Sequence, residues 1–286
     1  MRILILGGDK RYNEIIKYFI NRKDNIDIVN LNYNEANQYV KVKNIENVTA
    51  SDYNIIIFPI NGVLNDYIIS GENKVNIPKN FLDSAKDNTL IFSGISTKCL
   101  NEMSSKSNKE IIYFMKDKNV ILDNAIPTVE GIISNIINNT DITINNANIM
   151  VIGYGNIGKR LVDTLIYMGA NTSVSIIDNE DKKALDNLKI KNIYSNNIND
   201  MIGLISISDI IINTAPSKVI DKRYIQYINL NTYILDVASY PHGIDKDLLD
   251  KNNIKNKIYL GIPSIVAPKT SGYILSKKID KTIKGR

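Results

Sequence analysis

The chain has 286 residues, which is enough for two domains of ordinary size. It is 44% hydrophobic and 23% charged, with one cysteine, one histidine and no tryptophan, which excludes a disulfide framework and any metal site built on two histidines. The formal net charge is +5, and the last ten residues carry five cations and one anion, so the rest of the chain is nearly neutral. A basic surface for nucleic acid is therefore not predicted.

The N-terminus shows no targeting pattern. Met1 and Arg2 lead directly into apolar residues, and no apolar run approaches the ~18 residues of a membrane span. The free Cys99 suits a reducing compartment. We therefore expect a cytoplasmic protein without a membrane partner.

The first half of the chain alternates apolar runs with helical patterns. Residues 2–6 are typical of a strand that is buried on both faces, and Gly7 and Gly8 end the run. Helical spacing follows at residues 15–20. Further strands are predicted at residues 26–29, 55–58, 90–92 and 120–122. The alternation favours a parallel sheet with helices on both faces.

A second series of the same kind begins near residue 147. Its strands are predicted at residues 148–152, 173–177, 210–212, 233–237 and 258–260. A helix over residues 157–168 presents an apolar face and ends at Gly169. The second series therefore predicts a second parallel sheet.

Two proline-containing segments precede helical patterns between and after the two series. Thr128 is predicted to cap the first helix, and Glu130 to lie in its first turn. Lys269 and Thr270 are predicted to open the second helix. Two such helices would form two crossings between domains.

We therefore predict an α/β fold of two doubly wound parallel-sheet domains joined by two crossing helices, with a ligand cleft between them. The N-terminal domain, flavodoxin-like and on the substrate side, comprises residues 1–127, and a C-terminal helix over residues 268–286 packs back on it. The Rossmann-type nucleotide domain comprises residues 128–267.

A glycine motif, Gly-Tyr-Gly-Asn-Ile-Gly at residues 153–158, follows a predicted strand and opens a predicted helix. In that context Gly153 permits the tight turn, Gly155 lets the backbone approach a pyrophosphate, and Gly158 lets helix and strand pack closely. Asp178 lies twenty residues after Gly158, where a carboxylate accepts hydrogen bonds from an adenosine ribose. Its charge favours NAD, but the lysines that follow it could compensate, so the choice between NAD and NADP stays open.

Polar loops follow three strands of the second series at their carboxyl ends, where ligands bind in doubly wound sheets. The residues assigned to the cofactor are Gly153, Gly155, Asn156, Ile157, Gly158, Asp178, Thr214, Ala215, Pro216, Ala238 and Ser239. No metal site is predicted.

Several segments resemble the family of dipicolinate synthase A subunits from spore-forming bacteria. They begin with the segment from Gly7 to Arg11 and include residues 93–96 and 126–131. The longest is the run over residues 261–272, and together with the glycine motif they span nearly the whole chain in order. Two positions depart from the family pattern: Ile177-Asp178 stands where we expect Arg-Ser, and His242 where we expect glycine.

The resemblance implies an NAD(P)-dependent oxidoreductase that forms dipicolinate in the mother cell during sporulation. The implied substrate is the dihydrodipicolinate-branch intermediate of the lysine pathway, and the implied partner is a flavoprotein-like B subunit. Self-association into a homo-oligomer is also expected for such folds.

A substrate with two carboxylates needs cations or helix N-termini. The residues assigned to substrate binding are Arg11, Ser93, Ser96, Thr128 and Thr270, and those assigned to catalysis are Glu130, Lys269 and Asp236. Glu130 is the first choice of base, in a closed cleft that would raise its pKa. The alternatives left open are a surface ion pair of Arg11 with Asp9 or Glu14, a solvated helix start for Lys269, a helix-supporting Glu130 and a loop-holding Asp236.

Two other functions stay open. A 2-hydroxyacid dehydrogenase acting alone would need a matched Glu-His pair, and His242 has no such glutamate. A non-catalytic dinucleotide-binding regulatory or scaffold subunit would leave the chemistry to its partner. The lone His242 is expected to be a neighbour of the site and not its catalyst.

Overall fold

The structure is a computed structural model that describes residues 1–285. Its strands are β1 (Arg2–Leu6), β2 (Asn25–Val29), β3 (Val40–Val42), β4 (Ile55–Ile57), β5 (Tyr67–Ser70), β6 (Asn73–Asn76), β7 (Leu90–Ser93), β8 (Ile111–Tyr113), β9 (Asn148–Ile152), β10 (Asn171–Ile176), β11 (Lys191–Tyr194), β12 (Ile210–Asn213), β13 (Tyr233–Asp236) and β14 (Asn256–Ile258). Its α-helices are α1 (Arg11–Asn21), α2 (Lys98–Ser107), α3 (Lys118–Asn139), α4 (Asn156–Tyr167), α5 (Asn179–Asn187), α6 (Ile198–Ile207), α7 (Lys246–Lys251), α8 (Ile262–Val266) and α9 (Pro268–Lys284). The chain divides into two compact units, residues 1–124 with the segment from Pro263, and residues 125–262.

In the first unit, six parallel strands lie in the order β3-β2-β1-β4-β7-β8. Apart from the short edge strand β3, this is the strand order of flavodoxin-like sheets. Side chains of β1 alternate between two hydrophobic cores, with Leu4 and Leu6 in one and Ile3 and Ile5 in the other. Both faces of the sheet are therefore covered, which explains the uninterrupted apolar run.

In the second unit, six parallel strands lie in the order β11-β10-β9-β12-β13-β14, which is the Rossmann order. Ile149 and Val151 of β9 belong to the core on one face, and Met150 and Ile152 to the core on the other. The order reverses between β9 and β12, so the loops after these strands flank the crevice where such sheets bind ligands. The predicted fold class of two parallel-sheet α/β domains is confirmed.

The start of α3 corrects one predicted strand. The carboxylate of Asp117 accepts hydrogen bonds from the backbone N–H groups of Asn119 and Val120, at 3.0 and 3.1 Å. This cap starts a helix just before the apolar residues 120–122, so the strand predicted there is wrong. A short apolar run does not by itself distinguish a strand from a buried helical turn.

The middle of α3 corrects a second prediction. The helix continues through Pro127, so Thr128 and Glu130 lie in its interior and Thr128 is not an N-cap. Pro127 removes one backbone hydrogen bond, and the buried side chains of Ile132 and Ile136 on the following turns anchor the helix in the core of the second unit. Helix α3 is long and apolar enough to cross a membrane. Half of its most apolar segment is buried inside the protein, as in a core helix.

Helices α1 and α9 pack side by side within the first unit. A Cβ atom on Gly272 would overlap the carbonyl oxygen of Arg11, near the starts of both helices. Toward their ends, Asp280 pairs with Arg22 and accepts a hydrogen bond from the hydroxyl of Tyr18 at 3.0 Å. The two helices therefore run parallel, with both N-termini at one end of the pair.

Candidate dinucleotide site

The three glycines of the turn between β9 and α4, residues 153–158, differ in the space available for a side chain. A Cβ atom on Gly153, whose φ is +92°, would lie 2.8 Å from Thr214 Oγ1, and one on Gly158 would overlap the carbonyl oxygen of Gly153. These two glycines are required by the protein's own packing. A Cβ atom on Gly155 would meet nothing within 4 Å. Gly155 therefore faces the open space into which a pyrophosphate would fit.

The N-terminus of α4 is left open beside Gly155. Gly155 is its N-cap residue, and no side chain caps the helix there. The first N–H groups of a helix have no intrahelical partner, and together with the helix dipole they favour an anion. Asn156 and Ile157, which begin the helix, contribute backbone N–H groups of this kind.

Tyr154 and Lys159 frame this turn. The Tyr154 side chain is buried in the core of the second unit, and its burial raises the pKa of the phenol. The Lys159 ammonium lies 5.2 Å from the centre of the Tyr154 ring and 3.1 Å from the Asp181 carboxylate. Tyr154 therefore stays neutral and anchors the turn to the core.

The loop after β12 is tied to the glycine turn. The hydroxyl of Thr214 donates to the carbonyl oxygens of Ile152 and Gly153, at 3.0 and 3.3 Å. The side-chain amide of Asn213 donates to the carbonyl oxygen of Ala215 at 3.0 Å. Residues 214–216 are thus held next to the turn, where a bound dinucleotide would pass.

Asp236 at the end of β13 is fully buried and holds the next loop. Its carboxylate accepts hydrogen bonds from the side-chain amide of Asn213 and the backbone N–H groups of Ala238, Gly243 and Ile244, at 2.7–3.1 Å. We call these four contacts the Asp236 network. They fill the accepting positions of the carboxylate, which favours the loop-holding role over the role of base.

Sequence reasoning missed half of this network. Gly243 and Ile244 donate two of the four hydrogen bonds, and a Cβ atom on Gly243 would overlap the side chain of Asn213. The signal available in the sequence was Gly243, which lies seven residues after Asp236 at the end of a strand. The two residues form their hydrogen bond only when the loop has folded back.

The loop held by the network, residues 237–243, carries three residues of interest. Ala238 is buried and Ser239 is exposed. Nδ1 of His242 lies 2.9 Å from the Ala238 carbonyl oxygen, and the φ of His242 is +67°. The histidine thus closes its own loop in a conformation that favours glycine, in agreement with a neighbouring and not a catalytic role.

Asp178 lies at the carboxyl end of β10, as expected for a residue that reads the ribose. Its side chain is exposed, and Oδ1 accepts the backbone N–H of Glu180 at 2.6 Å as the N-cap of α5. Lys182, one of the two lysines that could compensate its charge, pairs instead with Asp186 at 3.0 Å. The Lys182 ammonium therefore binds Asp186 in the structure and does not compensate the charge of Asp178 for a 2′-phosphate.

Comparisons with known proteins cover the whole chain. A family profile described as the N-terminal domain of the dipicolinate synthase A subunit matches residues 2–115. The dipicolinate synthase A subunit of Bacillus subtilis (strain 168) is 29% identical over 287 residues, covering 99% of this chain and 96% of that protein. A crystal structure of the dipicolinate synthase A subunit from Bacillus halodurans is 27% identical, with a TM-score of 0.90 and coverage of 98% of this chain and 97% of that chain.

The chain is thus similar to dipicolinate synthase A subunits over nearly its full length. A transhydrogenase from Sinorhizobium meliloti, 12% identical, also matches with a TM-score of 0.67 over 99% of this chain and 93% of that chain. This likeness concerns the fold alone.

The part of the chain that matches the N-terminal profile holds three of the predicted substrate residues. Arg11 is buried and its guanidinium binds both carboxylate oxygens of Asp9, at 2.9 and 2.5 Å. The ion pair that the sequence left open is thus present, although Arg11 is buried within it. Ser93 is fully buried and donates to the carbonyl oxygen of Pro59 at 3.2 Å, whereas Ser96 is exposed.

The remaining predicted residues lie on α3 and α9. Thr128 is buried inside α3, and Glu130 is exposed on it and not enclosed as expected. Lys269 and Thr270 are exposed in the first turn of α9, as the sequence predicted. Of the two cations among the predicted site residues, Arg11 and Lys269, Lys269 is the one that is exposed.

Proposed function

We propose that this chain is the NAD(P)-dependent oxidoreductase subunit of a dipicolinate synthase, oxidising the dihydrodipicolinate-branch intermediate of the lysine pathway to dipicolinate during sporulation. The observation that carries the proposal is the open position of Gly155 at an uncapped helix N-terminus, in a chain that matches a dipicolinate synthase A subunit over nearly its full length.

The second unit contains groups suited to bind a nicotinamide dinucleotide. Gly155 and the first N–H groups of α4 would receive the pyrophosphate, and the exposed Asp178 would accept hydrogen bonds from the adenosine ribose. The loops pinned by Thr214 and the Asp236 network would line the nicotinamide half. When bound, the nicotinamide supplies the hydride acceptor, and the protein's part is to hold and orient the reacting rings.

The first unit contains groups suited to bind a dicarboxylate. Because α1 and α9 run parallel, their N-termini lie at the same end and bring the start of α1 close to Lys269 and Thr270. The Lys269 ammonium, the Thr270 hydroxyl and the dipole of α9 would there attract the carboxylates of the substrate, whereas the start of α1 already holds Asp9. Arg11 supports this region through Asp9 and has its guanidinium already paired.

The overall reaction balances with one hydride and one proton. The dihydropyridine dicarboxylate loses a hydride to the oxidised cofactor and a proton to solvent or a protein base, and it becomes aromatic. Neither Glu130, which is exposed, nor Asp236, which is saturated with hydrogen bonds, has the surroundings expected of that base. We therefore assign binding and orientation to the named residues and leave the proton acceptor open.

The test is reconstitution with the flavoprotein-like B subunit that we propose as partner. The purified pair, given the substrate and NAD or NADP, should form dipicolinate together with reduced cofactor. Gly155→Asp should abolish cofactor binding, because a carboxylate would occupy the pyrophosphate position. Gly203→Asp is the matched control, because Gly203 is exposed in α6 of the same unit and also has open space around it.

The outcomes separate the candidate functions. If Gly155→Asp loses binding and turnover while Gly203→Asp keeps both, the oxidoreductase proposal stands. If Gly155→Asp loses cofactor binding but dipicolinate still forms at the normal rate, the chain is a dinucleotide-binding regulatory or scaffold subunit. No product from the folded wild-type pair with either cofactor would overturn the proposal.

A further inference from the structure

One loop of the second unit presents an aromatic ring to solvent. Tyr240 and Tyr167 are 85% and 91% exposed, more than any other tyrosine within residues 1–285. Tyr167 is the last residue of α4, whereas Gly155 lies at the start of that helix. Tyr240 lies in the loop after β13, at the carboxyl edge of the sheet, where such sheets bind ligands. Of the two rings, that of Tyr240 is therefore the one placed to contact a ligand.

The turn that carries Tyr240 is closed and strained. The backbone N–H of His242 donates to the carbonyl oxygen of Ser239 at 3.0 Å, which closes the turn around Tyr240. His242 adopts a φ of +67° there, a conformation that is costly for a residue with a side chain. The Asp236 network holds the loop on both sides of this turn. A strained conformation that the surrounding contacts impose is typical of binding sites, and it fixes the place of Tyr240.

The loop over residues 237–243 lies against the strand that flanks the crevice. Gly243 packs so closely on the side chain of Asn213, the last residue of β12, that a Cβ atom would overlap it. The carbonyl oxygen of Gly243 accepts the backbone N–H groups of Val219 and Ile220, both at 2.9 Å, from the segment after β12. Since the strand order reverses between β9 and β12, this loop borders the half of the crevice that would receive the nicotinamide.

Most of the Tyr240 side chain is free to contact a ligand. The ring of His242 packs against it nearly at a right angle, with 5.9 Å between the ring centres, and leaves Tyr240 85% exposed. The face of a tyrosine ring attracts cations, and flat rings pack on it in offset stacks. The nicotinamide ring of an oxidised cofactor is both flat and positively charged, whereas that of the reduced cofactor carries no charge.

We infer that Tyr240 contacts the nicotinamide ring and favours the oxidised over the reduced cofactor. This role rests on the proposed oxidoreductase function, and it adds a residue that recognises the charge of the ring. In an enzyme whose cofactor receives a hydride, such a preference assists the release of the reduced cofactor after each turnover.

The test compares ligands that contain the nicotinamide with one that lacks it. Isothermal titration calorimetry measures how the full chain binds the oxidised cofactor, the reduced cofactor and ADP-ribose, or the 2′-phosphate of ADP-ribose if NADP binds more tightly than NAD. Tyr240→Leu should weaken binding of the oxidised cofactor about three- to tenfold, which is the size of a cation–π contact at a largely exposed site. Binding of the reduced cofactor should weaken by only about twofold, because leucine keeps an apolar contact with the uncharged ring. Binding of ADP-ribose should not change, because that ligand has no nicotinamide.

Two further variants serve as controls. Tyr240→Phe keeps the aromatic face and should bind all three ligands within about twofold of the wild type. Tyr167→Leu is the matched control, because it removes the other highly exposed tyrosine of the same unit. It should leave all three affinities unchanged.

Several results would overturn the inference. One is equal binding of the oxidised cofactor by Tyr240→Leu and the wild type. Another is an equal loss for all three ligands, because Tyr240 would then support the loop and not contact the nicotinamide. A loss confined to dipicolinate, titrated separately, would assign the ring to the substrate instead.

Failure of the proposed function gives a different result. A wild-type chain that binds the cofactor but forms no dipicolinate with its partner would overturn the oxidoreductase proposal and leave the comparison at Tyr240 valid. A wild-type chain that binds neither NAD nor NADP would overturn both.

Discussion

The two sheets share a topology, but they treat the first turn at their carboxyl edge in opposite ways. In the first unit, a Cβ atom on Gly8 would lie 2.5 Å from the ring of Tyr12, so the chain itself fills the space beside that glycine. Asp9 then accepts the backbone N–H of Arg11 at the start of α1. In the second unit, Gly155 has open space and no side chain caps α4.

The difference shows that a glycine-containing turn after a strand does not by itself make an anion site. The first unit places its own carboxylate at the helix N-terminus and neutralises it with a buried arginine. The second unit leaves the equivalent place for an external anion. The first unit is therefore expected to bind no dinucleotide, and its ligand must be recognised by other groups.

The largest effect is expected from breaking the carboxyl edge of the second unit at Asp236. Asp236→Ala leaves three buried backbone N–H groups and the Asn213 amide without their acceptor. We expect a loss of about 3 kcal/mol or more in the free energy of unfolding, measured with urea, together with weakened cofactor binding. Asp178→Ala, which removes one exposed helix cap, should cost only about 1 kcal/mol.

A loss similar to that of the control would contradict this prediction. It would mean that the loop over residues 237–243 is held by other contacts and that the Asp236 carboxylate is available for chemistry. Asp236→Asn adds a finer measurement, because it keeps the size of the side chain but replaces one acceptor with a donor facing backbone N–H groups.

A smaller effect is expected from opening the first unit at Asp9. Asp9→Ala leaves the buried Arg11 guanidinium unpaired and removes the acceptor of the Arg11 backbone N–H, so we expect a loss of roughly 1–3 kcal/mol in unfolding free energy. Made together with Gly155→Asp, it should create no new dinucleotide site, because Tyr12 still fills the space beside Gly8. NADH fluorescence titration of this double variant measures that directly, and restored binding would contradict the comparison.

The comparison also shows where sequence reasoning succeeds. The bounds of the strands β1, β4, β9 and β12 are predicted to within one residue, because parallel strands buried on both faces consist of uninterrupted apolar residues. The glycine motif can be recognised in the sequence because all of its residues lie in one short segment, residues 153–158. Strands such as β11, with half-exposed and polar residues, carry no such run and are missed.

Sequence reasoning fails where the deciding contact lies outside the pattern. Residues 120–122 resemble a strand because the cap that makes them helical, Asp117, is a lone residue outside the apolar run. Arg11 is assigned to the substrate because, in the sequence, a ligand and the neighbouring Asp9 are equally suitable partners for it. The structure shows the ion pair with Asp9, and a substrate-binding role for Arg11 stays a prediction.

The smallest effect is expected at His242, which tests whether the lone histidine has any part in catalysis. Replacing it with glycine relieves a left-handed backbone conformation, which for a residue with a side chain costs about 1–2 kcal/mol. The same change removes the contact from Nδ1 to the Ala238 carbonyl oxygen and the edge contact with the Tyr240 ring, worth about 1 kcal/mol. The two terms nearly cancel, so His242→Gly should change the free energy of unfolding by less than about 1 kcal/mol and leave turnover near the wild-type rate. Steady-state assays with the B subunit measure this, with His242→Ala as the variant that loses the contacts but keeps the backbone cost. A fall in turnover of about a hundredfold in both, with cofactor binding unchanged, is the size of effect expected on losing an acid–base catalyst, and it would return the histidine to the reaction.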